Sequence, residues 1–214
     1  MGAAVLVLGP SGSGKSTSLR NFPSDKVGVF NVLGKPLPFR GKLPTVNFPD
    51  YSAIKASLAR NKYKCYVIDD STYLMQNENF RLATVNGYQK FTSMAVNFQQ
   101  LIMSAISTSE DTVVYFLHHI DTAEDGRERP KTIGKMLDSQ FCIEGAFPIV
   151  LDCAIEDGKH IFKTQSDGMT LAKSPMGMLP PVMDNDLYEV DKLIRDYWDW
   201  PQLVTKEKEG TKNA

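Results

Sequence analysis

Gly9-Pro10-Ser11-Gly12-Ser13-Gly14-Lys15-Ser16 follows directly on the apolar run Ala3 to Leu8. Its spacing is G-x-x-x-x-G-K-[ST], and the chemistry that spacing predicts is the gripping of a nucleoside triphosphate. Glycines let the backbone bend so that successive N–H groups point inward as an anion nest. A helix opening over Ser16 to Asn21 would add its positive end. Lys15 is expected to reach the β- and γ-phosphates, the Ser16 hydroxyl to ligate Mg²⁺, and Thr17 to complete the cradle. A second chemical stretch is Val67-Ile68-Asp69-Asp70, where an apolar strand ends in two carboxylates at the edge on which open α/β sheets bind ligands. Beside a phosphate loop, Asp69 is the expected metal-side carboxylate; alone, it could equally cap the next helix. A third is His118-His119, again at a strand end. Alternation turns one of the two toward a nucleotide, and His118 is the one expected to meet the γ-phosphate or the attacking water. The remaining histidine, His160, is distant in sequence, and the three cysteines (Cys65, Cys142, Cys153) are scattered, which argues against a zinc site or a disulfide frame.

These groups need a sheet to hold them. Apolar runs over 26–32, 63–69 and 111–119 read as further buried strands, with a short one over 45–48. Asp50 is placed to cap a helix over 51–61, and the helical pattern of 71–108 breaks near Asn86-Gly87. The segment 34–42 carries Lys35, Arg40 and Lys42 among prolines that forbid helix and interior strand, so it reads as a loop. Residues 120–135, with Arg127, Arg129, Lys131 and Lys135 among four acids, read as a locally basic loop. Residues 147–155 and 160–164 form a predicted hairpin turning at Asp157-Gly158. A further strand is expected over 169–173, Pro180-Pro181 closes the sheet region, and a last helix covers 186–198. Strands alternating with helices, then a hairpin, predict an α/β fold: a mostly parallel central sheet flanked by helices, with an antiparallel hairpin extension. The 214 residues suit a single domain over 1–203, followed by a charged tail, 204–214, expected to lack order. A net charge of −1 makes no global demand for a polyanion or a membrane partner. The chain shows neither a signal peptide nor an apolar run of spanning length, which points to a cytoplasmic location.

The order of phosphate loop, strand-end acids, strand-end histidines, basic loop and hairpin resembles the RecA-like P-loop ATPases. More narrowly it is similar to the compact phage-encoded ATPases of the Sak single-strand annealing group, on four stretches. These are Gly9 to Ser16, Asn31 to Gly41 (NVLGKPLPFRG), Val67 to Ser71, and Thr164 to Gly177 (TQSDGMTLAKSPMG), spanning most of residues 1–180. The resemblance implies a RecA-like core, ATP and Mg²⁺, and self-association as a ring or filament. It also implies single-stranded DNA as partner in recombination, possible contact with a single-strand-binding protein, and, for a phage-encoded member, work in the host cytoplasm. By position it makes Arg127, Arg129, Lys131 and Lys135 candidate DNA-backbone contacts. Lys163, Lys173 and Lys35 become candidates for a cation given to a neighbour's γ-phosphate. One departure is Asn31, standing where RecA keeps a water-activating Glu; an amide cannot take that proton, so Asp70 is the candidate base. The combined expectation is a weak basal ATPase raised by DNA. The alternatives are a small-molecule or nucleoside kinase sharing the loop, and an assembly module switched by ATP with little hydrolysis.

Overall fold

The computed structural model describes residues 1–133 and 141–204. Three strands, β1 (Ala3–Leu8), β4 (Cys65–Asp69) and β5 (Val113–His118), are buried along their whole length, as expected for strands covered on both faces. With β2 (Val27–Asn31), β3 (Thr45–Asn47), β8 (Ile149–Glu156), β9 (Lys159–Lys163) and β10 (Val182–Asp184) they make an eight-stranded sheet of order β10-β9-β8-β1-β5-β4-β2-β3. Pairing from β8 across to β3 is parallel, whereas β8–β9 and β9–β10 are antiparallel. The architecture is therefore α/β, with a mostly parallel sheet and an antiparallel extension at one end.

Side-chain alternation sorts the core into two layers. Ala4, Leu6, Leu8, Val114 and Phe116 face α1 (Tyr51–Arg60), α2 (Thr72–Arg81) and α3 (Gln89–Ile106). The stripe Met94, Phe98, Leu101, Ile102 and Ala105 on α3 is completely buried there. Each of its larger members contributes roughly 1.5–3 kcal/mol relative to exposure. Val5, Val7, Val113, Tyr115 and Leu117 face the other way, onto Leu19, Phe22 and α4 (Leu187–Tyr197). Asp50 accepts from the Ala53 N–H at 2.8 Å and Asp186 from the Tyr188 N–H at 3.0 Å, capping α1 and α4. Arg195, 1 % exposed, pairs with buried Asp191 and donates to the carbonyls of Asp111, Lys64 and Pro201. Each of its three nitrogens is engaged, which is the condition under which such a buried ion can be held.

Several local expectations change. The residues after the phosphate loop form a short 3-10 segment, Ser16–Leu19, rather than an α-helix over 16–21. The segment 120–135 is not all loop: β6 (Ile120–Thr122) and β7 (Glu128–Pro130) pair as a small antiparallel hairpin. Instead of a strand over 169–173 there is one antiparallel bridge, Lys173 to Val150. Beyond Pro180-Pro181 the sheet continues into β10, paired to β9 as an edge strand, where a preceding proline is tolerated. The break at Asn86-Gly87 stands between α2 and α3, and Trp198 and Trp200 pack on each other with centroids 4.8 Å apart. The expected tail falls, from residue 205 on, outside the described residues. Among the described residues, no helix is long and apolar enough to cross a membrane.

Candidate nucleotide-binding site

Register decides what meets at the sheet edge. Leu8 aligns with His118 and Asn31 with Asp69, and β5 lies between β1 and β4. The loop after β1, the acids of β4 and the histidines of β5 thus emerge together at the C-terminal edge, where parallel sheets bind ligands.

The loop is tightly seated. Gly14 has φ +105°, and a Cβ there would come 3.0 Å from His160 Nδ1 and 3.2 Å from the Asn185 amide, so this position requires glycine. Lys15 is 6 % exposed, and its Nζ donates to the carbonyls of Gly9 (2.7 Å) and Pro10 (2.8 Å). Burial lowers its pKa, opposed by the nearby Cys153, Asp70 and Asp69. The Ser16 hydroxyl donates to Asp69 Oδ1 at 2.8 Å, joining residues 53 apart in sequence. Burial pushes the Asp69 carboxyl up to about 6 although the Ser16 hydrogen bond opposes the rise.

Asp70 leaves the strand with φ +59°, a left-handed conformation rare outside glycine that Asp tolerates better than most residues. The turn brings its carboxylate to Lys35 Nζ (2.7 Å, Oδ2) and His119 Nε2 (3.3 Å, Oδ1). Burial works against its charge, but hydrogen bonds from His119 and Lys35 outweigh that and hold its pKa below the usual value. Lys35 is raised in turn, first by its hydrogen bond to Asp70.

For the histidines the expectation reverses. His118 is fully buried, its Nε2 donating to the Lys131 carbonyl at 2.8 Å and its Nδ1 lying 2.9 Å from the Ser71 hydroxyl. Burial lowers its pKa to about 4, so the ring is neutral at physiological pH and ties the β6–β7 hairpin to the strand tip. His119 is the one that lines the cavity. That cavity, about 290 Å³, is bounded by Ser11, Gly12, Gly14 to Thr17, Lys35, Pro38, Asp70, His119 and His160.

His160 is not remote. Strand β8 pairs with β1, so β9 folds back beside the loop, and His160 Nδ1 donates to the Ser13 carbonyl at 2.7 Å. Cys153 Sγ donates to the same oxygen at 3.2 Å and accepts from Asn185 Nδ2 at 3.2 Å. Neither Cys153, His160 nor Asn185 carries a sequence signal for this role, because each depends on which strand lies next to β1. Ser13 Oγ and Asn185 Oδ1 are buried there without a hydrogen-bond partner.

The remaining candidates scatter. Lys35 sits in its own chain's cavity, not away from it. Lys163 is held by Glu156 (2.8 Å) and Asp167 (3.5 Å), and Lys173 lies on the bridge to β8; neither lines the cavity. Arg127 pairs with Asp125 (3.6 Å) and Lys131 with Asp121 (2.9 Å) on the β6–β7 hairpin, while Arg129 is exposed and makes no ion pair among the described residues. Lys135 lies outside the described residues.

For a metal, the chemistry of the donors is what can be tested. Ser16 and Asp69 offer hard oxygen ligands in contact, the set that suits Mg²⁺ held mainly by water and phosphate. Among the described residues no cluster of three or more His, Cys, Asp or Glu could hold an ion without such help. Comparison with protein-family models finds no match, and comparison with curated proteins finds none either.

Proposed function

We propose that this chain is a RecA-like P-loop ATPase that binds single-stranded DNA and self-associates in support of phage recombination. The observation that carries the nucleotide reading is the Ser16–Asp69 hydrogen bond. A glycine-rich turn that matched the loop pattern by accident would have no reason to meet a buried strand-end carboxylate raised to about 6. The DNA and assembly parts rest on the resemblance and on the hairpin that carries Arg127, Arg129 and Lys131 beside the strand tip.

The chain's groups divide the work. Backbone N–H groups of the loop and Lys15 would hold the phosphates, Lys15 exchanging the carbonyls of Gly9 and Pro10 for phosphate oxygens. Ser16 and Asp69 would hold Mg²⁺. When bound, that ion neutralises charge developing on the phosphate oxygens. Hydrolysis joins a water oxygen to the terminal phosphorus and breaks that atom's bond to the β–γ bridging oxygen, leaving ADP, inorganic phosphate and a proton. Asp70 is the group that would orient the water, with His119 fixing its carboxylate. Because Asp70 is held below the usual carboxylate pKa it is a weak proton acceptor, which fits a slow basal rate.

The test is ATP turnover with and without single-stranded DNA, for the wild type and Lys15→Ala. The expected result is DNA-stimulated turnover reduced about a hundredfold or more in the variant. Turnover in Lys15→Ala at the wild-type rate would refute the site, and phosphoryl transfer to a nucleoside with no effect of DNA would replace the proposal with a kinase.

A further inference from the structure

The loop after β2 delivers a second lysine to the cavity in an unusual way. Its backbone is pinned: buried Asn31 donates from Nδ2 to the Lys35 carbonyl at 2.6 Å, and the Gly34 N–H bonds back to the Asn31 carbonyl at 3.2 Å. Gly34 has φ +64°, and a Cβ there would fall 2.2 Å from the Phe48 ring, so the turn favours glycine. The side chain beyond this anchor is 59 % exposed and crosses to Asp70, passing 5.8 Å from the centre of the Tyr73 ring. Asn31 cannot replace a catalytic acid; what its amide does instead is aim Lys35.

Two consequences meet at Asp70. Both of its oxygens already accept from protein donors, Oδ2 from Lys35 and Oδ1 from His119, so a water held by Oδ2 would share that oxygen with the Lys35 ammonium. The Lys35 end of that bond is 59 % exposed, so its ammonium is free to move to another anion, whereas the Asp70 carboxylate is 8 % exposed and gives up a charge partner when it does. Lys15 and Lys35 line one cavity, and the Lys35 charge adds, after burial, to the lowering of the Lys15 pKa. Such a pair responds to a multiply charged anion placed between them.

We propose that Lys35 is a gate acting within its own chain: it locks Asp70 until the terminal phosphate of a bound nucleotide draws its ammonium away. One movement then neutralises the phosphate and leaves Asp70 Oδ2 to orient water. This rests on the ATPase reading, and it replaces a role for Lys35 in a neighbour's site. Only a triphosphate supplies the anion that competes, so the gate also reports which nucleotide is bound.

The experiment is equilibrium binding of Mg²⁺·ATP and Mg²⁺·ADP to the full chain and to Lys35→Ala, Lys35→Arg, Asp70→Asn and the Lys35→Ala/Asp70→Asn double variant, with folding checked by thermal unfolding. Lys35→Ala should bind ATP about tenfold more weakly with ADP affinity unchanged, and Lys35→Arg should retain most of the ATP affinity. Asp70→Asn should bind ATP more tightly while turning it over more slowly, because the carboxylate no longer competes for Lys35. That gain should vanish in the Lys35→Ala background. A gain equally large or larger in that background means simple repulsion between Asp70 and phosphate, and it overturns the gate. Equal losses of ATP and ADP affinity in Lys35→Ala overturn it as well. A wild type that binds neither nucleotide would overturn this inference and the ATPase together, whereas normal wild-type binding with an indifferent Lys35 overturns this one alone.

Discussion

Asp69 couples the proposed function to stability, and Asp69→Asn is the perturbation that exposes the coupling. The carboxyl is 5 % exposed, and burial raises its pKa from the ordinary 3.8 to about 6. An acid raised on folding keeps its proton in the native state over a pH range where the unfolded chain has lost it. Stability therefore falls as pH climbs from about 4 to about 6 and stays low above. At 1.36 kcal/mol for each pH unit, the buried charge costs about 3 kcal/mol at pH 7.5. Asparagine keeps an oxygen to accept the Ser16 hydroxyl and removes the charge. The variant is expected to be more stable by up to about 3 kcal/mol at pH 7.5, which for a chain of this length is about 6–12 °C in midpoint. Near pH 4 the difference should shrink toward zero. Asp152 and Glu128, also raised to about 6 by burial, titrate in both proteins and cancel from the comparison. Thermal unfolding across pH 4–7.5 reads the effect, and added Mg²⁺·ATP should raise the wild-type midpoint far more than the variant's. A variant that unfolds with the wild type at pH 7.5, with no trend in pH, would refute the reasoning.

Two further outcomes follow from the same geometry. His160→Ala removes a donor to the Ser13 carbonyl and should weaken nucleotide binding about three- to tenfold, the worth of one hydrogen bond. His160→Asn keeps an amide near the Nδ1 position and should recover most of the loss, as read by nucleotide titration; no recovery would show that the second ring nitrogen matters more. Replacing Arg127, Arg129 and Lys131 together by alanine should weaken single-stranded DNA binding regardless of base sequence. It should also reduce the slope of log affinity against log salt by about two. An unchanged slope would put the DNA elsewhere on the chain.

What the amino-acid order determined alone is the local chemistry. The loop Gly9–Ser16, the buried strand before it, the strand-end carboxylate Asp69, the cap at Asp50 and the Asp157-Gly158 turn are all written in neighbouring residues. A backbone nest, a cap or a reverse turn is built within a few positions, so spacing suffices to predict it. The choice between His118 and His119 was not settled that way. His118 is the last residue of β5 and follows its alternation into the core beside Phe98, while His119 has left the strand and points into the cavity. Asp70 likewise depends on a backbone turned to positive φ, which no periodicity announces. Only the tertiary structure set β8 against β1, and so brought His160, Cys153 and Asn185 under the loop from more than a hundred residues away. It alone carried Lys35 across to Asp70. Strand neighbours are chosen by the packing of whole faces, a property of the assembled sheet that no short stretch of sequence contains.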